Sequence, residues 1–150
     1  MKRYHNIWLW AVALLSMVAC SNEHHGVDNS KARKQFLKDE ITRVLKNDSL
    51  EYYIERYLQE GDFYAVCLGY NALGRNYRNN ASYTEALEAH NKSLSYAVMA
   101  VDTPEIVQAY NNLGTDFRRL GLLKEASLHH YKALEHCEKY SDKDSYAAIK

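Results

Sequence analysis

Along most of this chain apolar residues return at the three- and four-residue steps of a helix face, with little of the strict alternation of a strand. Tyr70, Leu73, Gly74 and Tyr77 sit at i, i+3, i+4 and i+7, and Tyr110, Leu113, Gly114 and Phe117 repeat the stripe. Upstream, Phe36, Leu37, Ile41, Val44 and Leu45 share one side of a helix predicted over Lys31–Lys46. Tyr53, Ile54, Tyr57 and Leu58 do the same over Leu50–Gln59, with Asp48 or Ser49 as its cap and Gly61-Asp62 as its end. Further helices are expected to start near Ser82 and Leu122, after the breakers Asn79-Asn80-Ala81-Ser82 and Leu120-Gly121. Asp102-Thr103-Pro104-Glu105 separates one helix pair from the next: Thr103 can cap, Pro104 fits a first turn, and Glu105 suits the positive end of the helix dipole. The pattern predicts an all-α chain of antiparallel helical hairpins.

The opening residues follow a different rule. Met1-Lys2-Arg3 leads into an uncharged run from Ile7 to Ala19, closed by Cys20. Thirteen residues span only ~20 Å as a helix, short of the ~30 Å hydrocarbon layer, so a removable secretory signal over 1–19 is expected in place of a permanent span. Residues 20–30 are polar and contain a glycine, which predicts a flexible tether. Leu15-Ser16-Met17-Val18-Ala19-Cys20 resembles the lipobox of bacterial lipoproteins, with Met17 where leucine is commoner. The resemblance implies a diacylglyceryl thioether on Cys20 and a firm palmitate-type anchor; an ordinary signal peptide with an incidental cysteine is the alternative. By the same resemblance Ser21, which is not the aspartate of inner-membrane retention, implies a periplasmic or outer-membrane location.

Shifted by forty residues, the chain matches itself. Tyr70-Asn71-Ala72-Leu73-Gly74 falls on Tyr110-Asn111-Asn112-Leu113-Gly114, Tyr77-Arg78 on Phe117-Arg118, Glu85-Ala86 on Glu125-Ala126, His90 on His130, Lys92 on Lys132 and Leu94 on Leu134. Each copy resembles a tetratricopeptide repeat: aromatic, two residues, Leu-Gly, two residues, aromatic, then alanine followed four residues later by an aromatic position, here histidine. Tyrosine stands for the first tryptophan, the terminal proline is missing, and the period exceeds the family's thirty-four. The resemblance implies hairpins stacked as a short right-handed solenoid. The expected organisation is a degenerate hairpin over 31–61, repeats over 62–101 and 102–141, and the start of a truncated further helix over 142–150. A glycine within a helix costs ~1 kcal/mol against alanine, so Gly74 and Gly114 at one register imply a close helix crossing, with Ala86 and Ala126 as the matching small residues.

Composition narrows the chemistry. Lys+Arg and Asp+Glu are equal at 19 each, and losing Lys2 and Arg3 would leave 17 against 19, so no basic field points to nucleic acid. Thirteen tyrosines against three phenylalanines suit large helix faces with wet edges. No nucleophile with its base, phosphate-cradling loop or carboxylate pair is present, which predicts a non-enzyme without cofactor. The pairs His24-His25 and His129-His130, with His136, lack zinc spacing, because neighbouring helical residues point ~100° apart. No metal is expected. Cys67 and Cys137 are either two small buried thiols or a disulfide between neighbouring layers.

Away from the packing stripe, the first helix of each repeat carries Asn71, Arg75 and Arg78, or Asn111, Thr115 and Arg118. In the family that face lines the concave groove, and the resemblance implies a protein or peptide ligand, acidic or held by its C-terminus. A solvated polar face with local ion pairs is the other reading. The layout also resembles Bacteroidetes lipoproteins that form the extracytoplasmic input of longer sensors. The expected function is a membrane-anchored protein-binding module with a sensory or scaffold role, or, alternatively, a structural lipoprotein assembling an outer-membrane complex.

Overall fold

A computed structural model describes residues 29–43 and 47–140. Among them every regular element is a helix: α1 (29–43), α2 (Asn47–Glu60), α3 (Phe63–Asn79), α4 (Tyr83–Met99), α5 (Thr103–Arg119) and α6 (Leu123–Tyr140). The signal segment, Cys20, most of the tether, His24-His25, Val44, Leu45 and the further helix expected after residue 141 lie outside the described residues. No described helix is long and apolar enough to cross a membrane.

The chain divides into two units after Asp39. In the first, helix already includes residues 29 and 30, which the sequence assigned to a tether. Gln35 Nε2 donates to Asp39 Oδ1 one turn on (2.9 Å) and Leu37 is buried, whereas Phe36 is exposed despite its place on the expected apolar side. In the second unit, the last turn of α1 is tied to α2. Glu40 accepts from Arg56 Nη2 (3.0 Å) and from the Tyr57 hydroxyl (2.9 Å), and the Arg56 guanidinium lies over the Tyr57 ring.

From α2 onward each helix packs on the next, and α3 also touches α5, which is the helical-repeat arrangement expected. The core runs along the stack through Leu50, Tyr53, Ile54, Val66, Leu73, Ala97, Val107, Leu113, Ala133 and Cys137. Cys67 and Cys137 are both buried and form no disulfide with each other. α2 starts three residues earlier than expected, so Asp48 serves the first turn and is not its cap.

The forty-residue sequence period rests on a twenty-residue backbone period. α3, α4 and α5 are each 17 residues long and are joined by three-residue links. Gly61, Ala81, Val101 and Gly121 all take positive φ (72°, 62°, 52° and 79°) and close the preceding helix. In every link the next amide reaches back five residues to a helix carbonyl: Asp62 to Tyr57, Ser82 to Tyr77, Asp102 to Ala97 and Leu122 to Phe117, at 2.9–3.1 Å. That same residue then opens the following helix. Asp62 and Asp102 do so with their side chains, accepting from the amides of Ala65 (3.0 Å) and Glu105 (3.2 Å). The cap expected at Thr103 is therefore one residue earlier, and Asp62 starts α3 as well as ending the turn after α2. Ser82 is at the cap position of α4 with no side-chain bond there.

Candidate functional site

Both hairpins pack through the same device, a glycine facing an imidazole. A Cβ on Gly74 would come within 2.5 Å of His90 Nε2, and one on Gly114 within 2.7 Å of His130 Cε1. Ala86 and Ala126 are buried but lie one turn before the histidines that fill the glycine gap. Around this contact Leu73 and Leu113 are buried, and Tyr70, Tyr77, Tyr110 and Phe117 are half-buried. Tyr70 stacks on Tyr96 (5.6 Å) and Tyr110 on His136 (5.4 Å), while Lys92 Nζ and Lys132 Nζ stand 5.6 and 5.7 Å from those tyrosine rings. The sequence repeat is thus a repeat of side-chain contacts.

Between the hairpins the packing is polar. Asp116 of α5 is fully buried and receives Arg78 Nη1 of α3 at 3.0 Å and His90 Nδ1 of α4. Arg78 Nη2 also donates to Asn112 Oδ1 (3.2 Å), whose amide donates to Asn71 Oδ1 (2.8 Å). One carboxylate therefore joins three helices of two hairpins, and a buried charge of this kind is tolerable only with such a full set of donors. His130, the counterpart of His90, has no carboxylate partner among the described residues and is half-buried. Burial, then the charges of Arg118 and His129, lowers its pKa below the ordinary histidine value.

This network redistributes the residues singled out from sequence. Arg78 and Asn71 are engaged between hairpins, Arg78 with only 17% of its side chain exposed. Thr115 donates its hydroxyl to the Asn111 carbonyl (3.1 Å) in its own helix. Arg75 and Arg118 are exposed. The six residues do not converge as one set of ligand donors, and two guanidinium groups stay presented to solvent.

A cleft of about 370 Å³ opens elsewhere, between α2 and α4 above α3. Its floor is Ile54 and Leu58 of α2, Tyr70, Leu73 and Tyr77 of α3, and Ala89 of α4. Its rim carries Glu51, Glu55, Glu85 and Glu88 with Lys92 as the one cation. Lys92 Nζ pairs with Glu88 at 2.9 Å, while Glu51, Glu55 and Glu85 enter no ion pair among the described residues. The repeats differ along this lining, Ala89 and Glu88 of the first hairpin standing against His129 and Leu128 of the second. In the second hairpin His129 stands where Ala89 stands in the first, and its ring fills the space against Phe117 (4.8 Å) and Tyr110 (6.2 Å). Sequence reasoning passed over this site, although the forty-residue alignment sets Ala89 against His129 and Glu88 against Leu128.

A family model described as tetratricopeptide repeat matches residues 66–147. No curated protein and no solved structure shows significant similarity to the chain. The match covers more than half of the sequence and takes in both glycine–histidine hairpins, the buried Asp116 junction and the aromatic stacks. The chain belongs to the tetratricopeptide repeat family.

Proposed function

We propose that this protein is a binding module for another protein, held at an extracytoplasmic membrane surface through a lipid on Cys20, and that it serves as the sensory or scaffold part of a larger system. Tetratricopeptide repeats mediate protein–protein interaction and are typically non-catalytic. The observation that carries the binding reading is the cleft between α2, α3 and α4: a preformed concavity with an aromatic floor and a charged rim, supported by buried helix contacts on three sides. A rigid stack binds without first ordering itself, so the entropy lost on association is small. Arg75 and Arg118, each exposed on the first helix of its repeat, carry guanidinium groups of the kind that grip a carboxylate.

The membrane reading rests on the early sequence. A charged start, an apolar run too short to span, and a small residue before the first cysteine together favour lipid attachment. Expression of the full chain in a bacterium fed labelled palmitate, beside Cys20→Ala, tests it. Label and membrane retention lost only in the variant are the expected result. A soluble, unlabelled parent chain would remove the anchor and leave a binding module alone.

A further inference from the structure

The cleft also defines the chemistry of its occupant, given that the module binds protein at all. Four carboxylates and one ammonium surround an apolar floor, and that ammonium is already paired with Glu88. An acidic segment would be repelled, and a wholly apolar one would desolvate the rim carboxylates without replacing their hydrogen bonds. A planar cation on an aliphatic stem meets both demands. Its stem can lie on Ile54, Leu58 and Leu73, and its fork can take two carboxylate oxygens at once. Tyr77 supplies a ring surface in the cleft, and no ring stacking or cation contact engages it among the described residues. Arginine stacks on such rings better than lysine does and is more weakly hydrated.

We propose that the cleft between α2, α3 and α4 receives an arginine-bearing, apolar-flanked segment of a partner protein, with the guanidinium against Tyr77 and forked onto Glu55 or Glu85. The surface is distinct from the face of Asn71, Arg75 and Arg78, which lies roughly 130° round α3 from the stripe of Tyr70, Leu73 and Tyr77. In the second hairpin His129 holds the position of Ala89, and its ring packs on Phe117, the counterpart of Tyr77. Ala89→His places the same side chain at the cleft floor, leaves every rim charge in place, and is checked for folding by helical content and Tm.

The test is fluorescence anisotropy of a short labelled peptide of alternating arginine and leucine, titrated with the full chain in a nonionic detergent. Controls are its lysine and glutamate counterparts. The arginine peptide should bind more tightly than the lysine peptide, and the glutamate peptide should not bind. Ala89→His, and separately Glu51→Gln with Glu55→Gln and Glu85→Gln, should each weaken the arginine peptide about tenfold or more while helical content and Tm hold. Binding lost in the glutamine variant but untouched by Ala89→His would be unspecific charge attraction and would overturn the proposal. Binding of the glutamate peptide instead, abolished by Arg75→Ala with Arg118→Ala, would overturn it while leaving the protein-binding function standing. Absence of binding to all three peptides would overturn it too, and adducts from cross-linking in cells then decide the broader function by themselves.

Discussion

Gly74 and Gly114 stand at the same register, yet an added methyl group meets different resistance at each. His90 is fully buried and held through Nδ1 by Asp116, so its ring cannot retreat from a Cβ 2.5 Å from Nε2. His130 is half-buried and has no such tether, so it can swing outward. Alanine is favoured over glycine in a helix by ~1 kcal/mol, but forced overpacking costs ~1–3 kcal/mol. Urea unfolding should therefore show Gly74→Ala destabilising by about 1–2 kcal/mol and Gly114→Ala close to neutral. Equal losses at both sites would contradict this account of the crossing. The sequence pointed to both glycines, because a helix interior rarely spends glycine twice at one register without a steric reason. It did not identify what meets them, since spacing within one helix says nothing about which residue of its partner crosses there. Imidazole, a histidine in the family's aromatic position, fills the gap.

The links between helices obey a period that the amino acids hide. Gly61 and Gly121 are expected in left-handed turns, but Ala81 and Val101 hold the same conformation with a side chain. The five-residue back-bond and the position of the residue that opens the next helix are common to all four links, so the backbone imposes the geometry whichever residue is present. For a β-branched residue this conformation costs ~1–2 kcal/mol. Val101 is 85% exposed and gives up almost no packing on removal. Val101→Gly should raise stability by about 1 kcal/mol in thermal or urea unfolding, the relief being partly offset by glycine's extra freedom in the unfolded chain. A clear loss would mean that the valine side chain stabilises this link. Helix starts and stops were legible to within a few residues from breakers and caps. The cap fell on Asp102 and not Thr103 because the turn leaves the helix at Val101, a residue with no turn signature.

At the scale of the whole molecule, Asp116 is where the two hairpins become one structure. It is buried and serves Arg78 of α3 and His90 of α4 together. Removing one partner of a buried charge cluster strands the rest, so Asp116→Ala should cost about 3–5 kcal/mol in urea unfolding, and a loss below about 1 kcal/mol would show that the hairpins stack without it. For the same reason Arg78→Ala is a stability variant, and Arg75→Ala with Arg118→Ala is the sound probe of the basic face. Fold class and repeat were readable from sequence because each copy carries its own stripe. The polar junction was not, because Arg78 and Asp116 belong to different copies: Arg78 was read as part of a ligand face, and Asp116 carried no signal within its own copy. The cleft was hidden for a related reason: its lining comes from three helices, and the spacing within one helix does not show that carboxylates of α2 and α4 share a rim. A partner protein bound as proposed lies across that cleft. A photoreactive residue placed at Glu51 on the cleft rim, and in parallel at Arg75 and Arg118, then irradiated in living cells, captures whatever lies against each surface. A discrete heavier adduct from position 51 that disappears when Ala89→His is added is the expected result, whereas no adduct at 51, or adducts at 75 and 118 alone, would contradict engagement through the cleft.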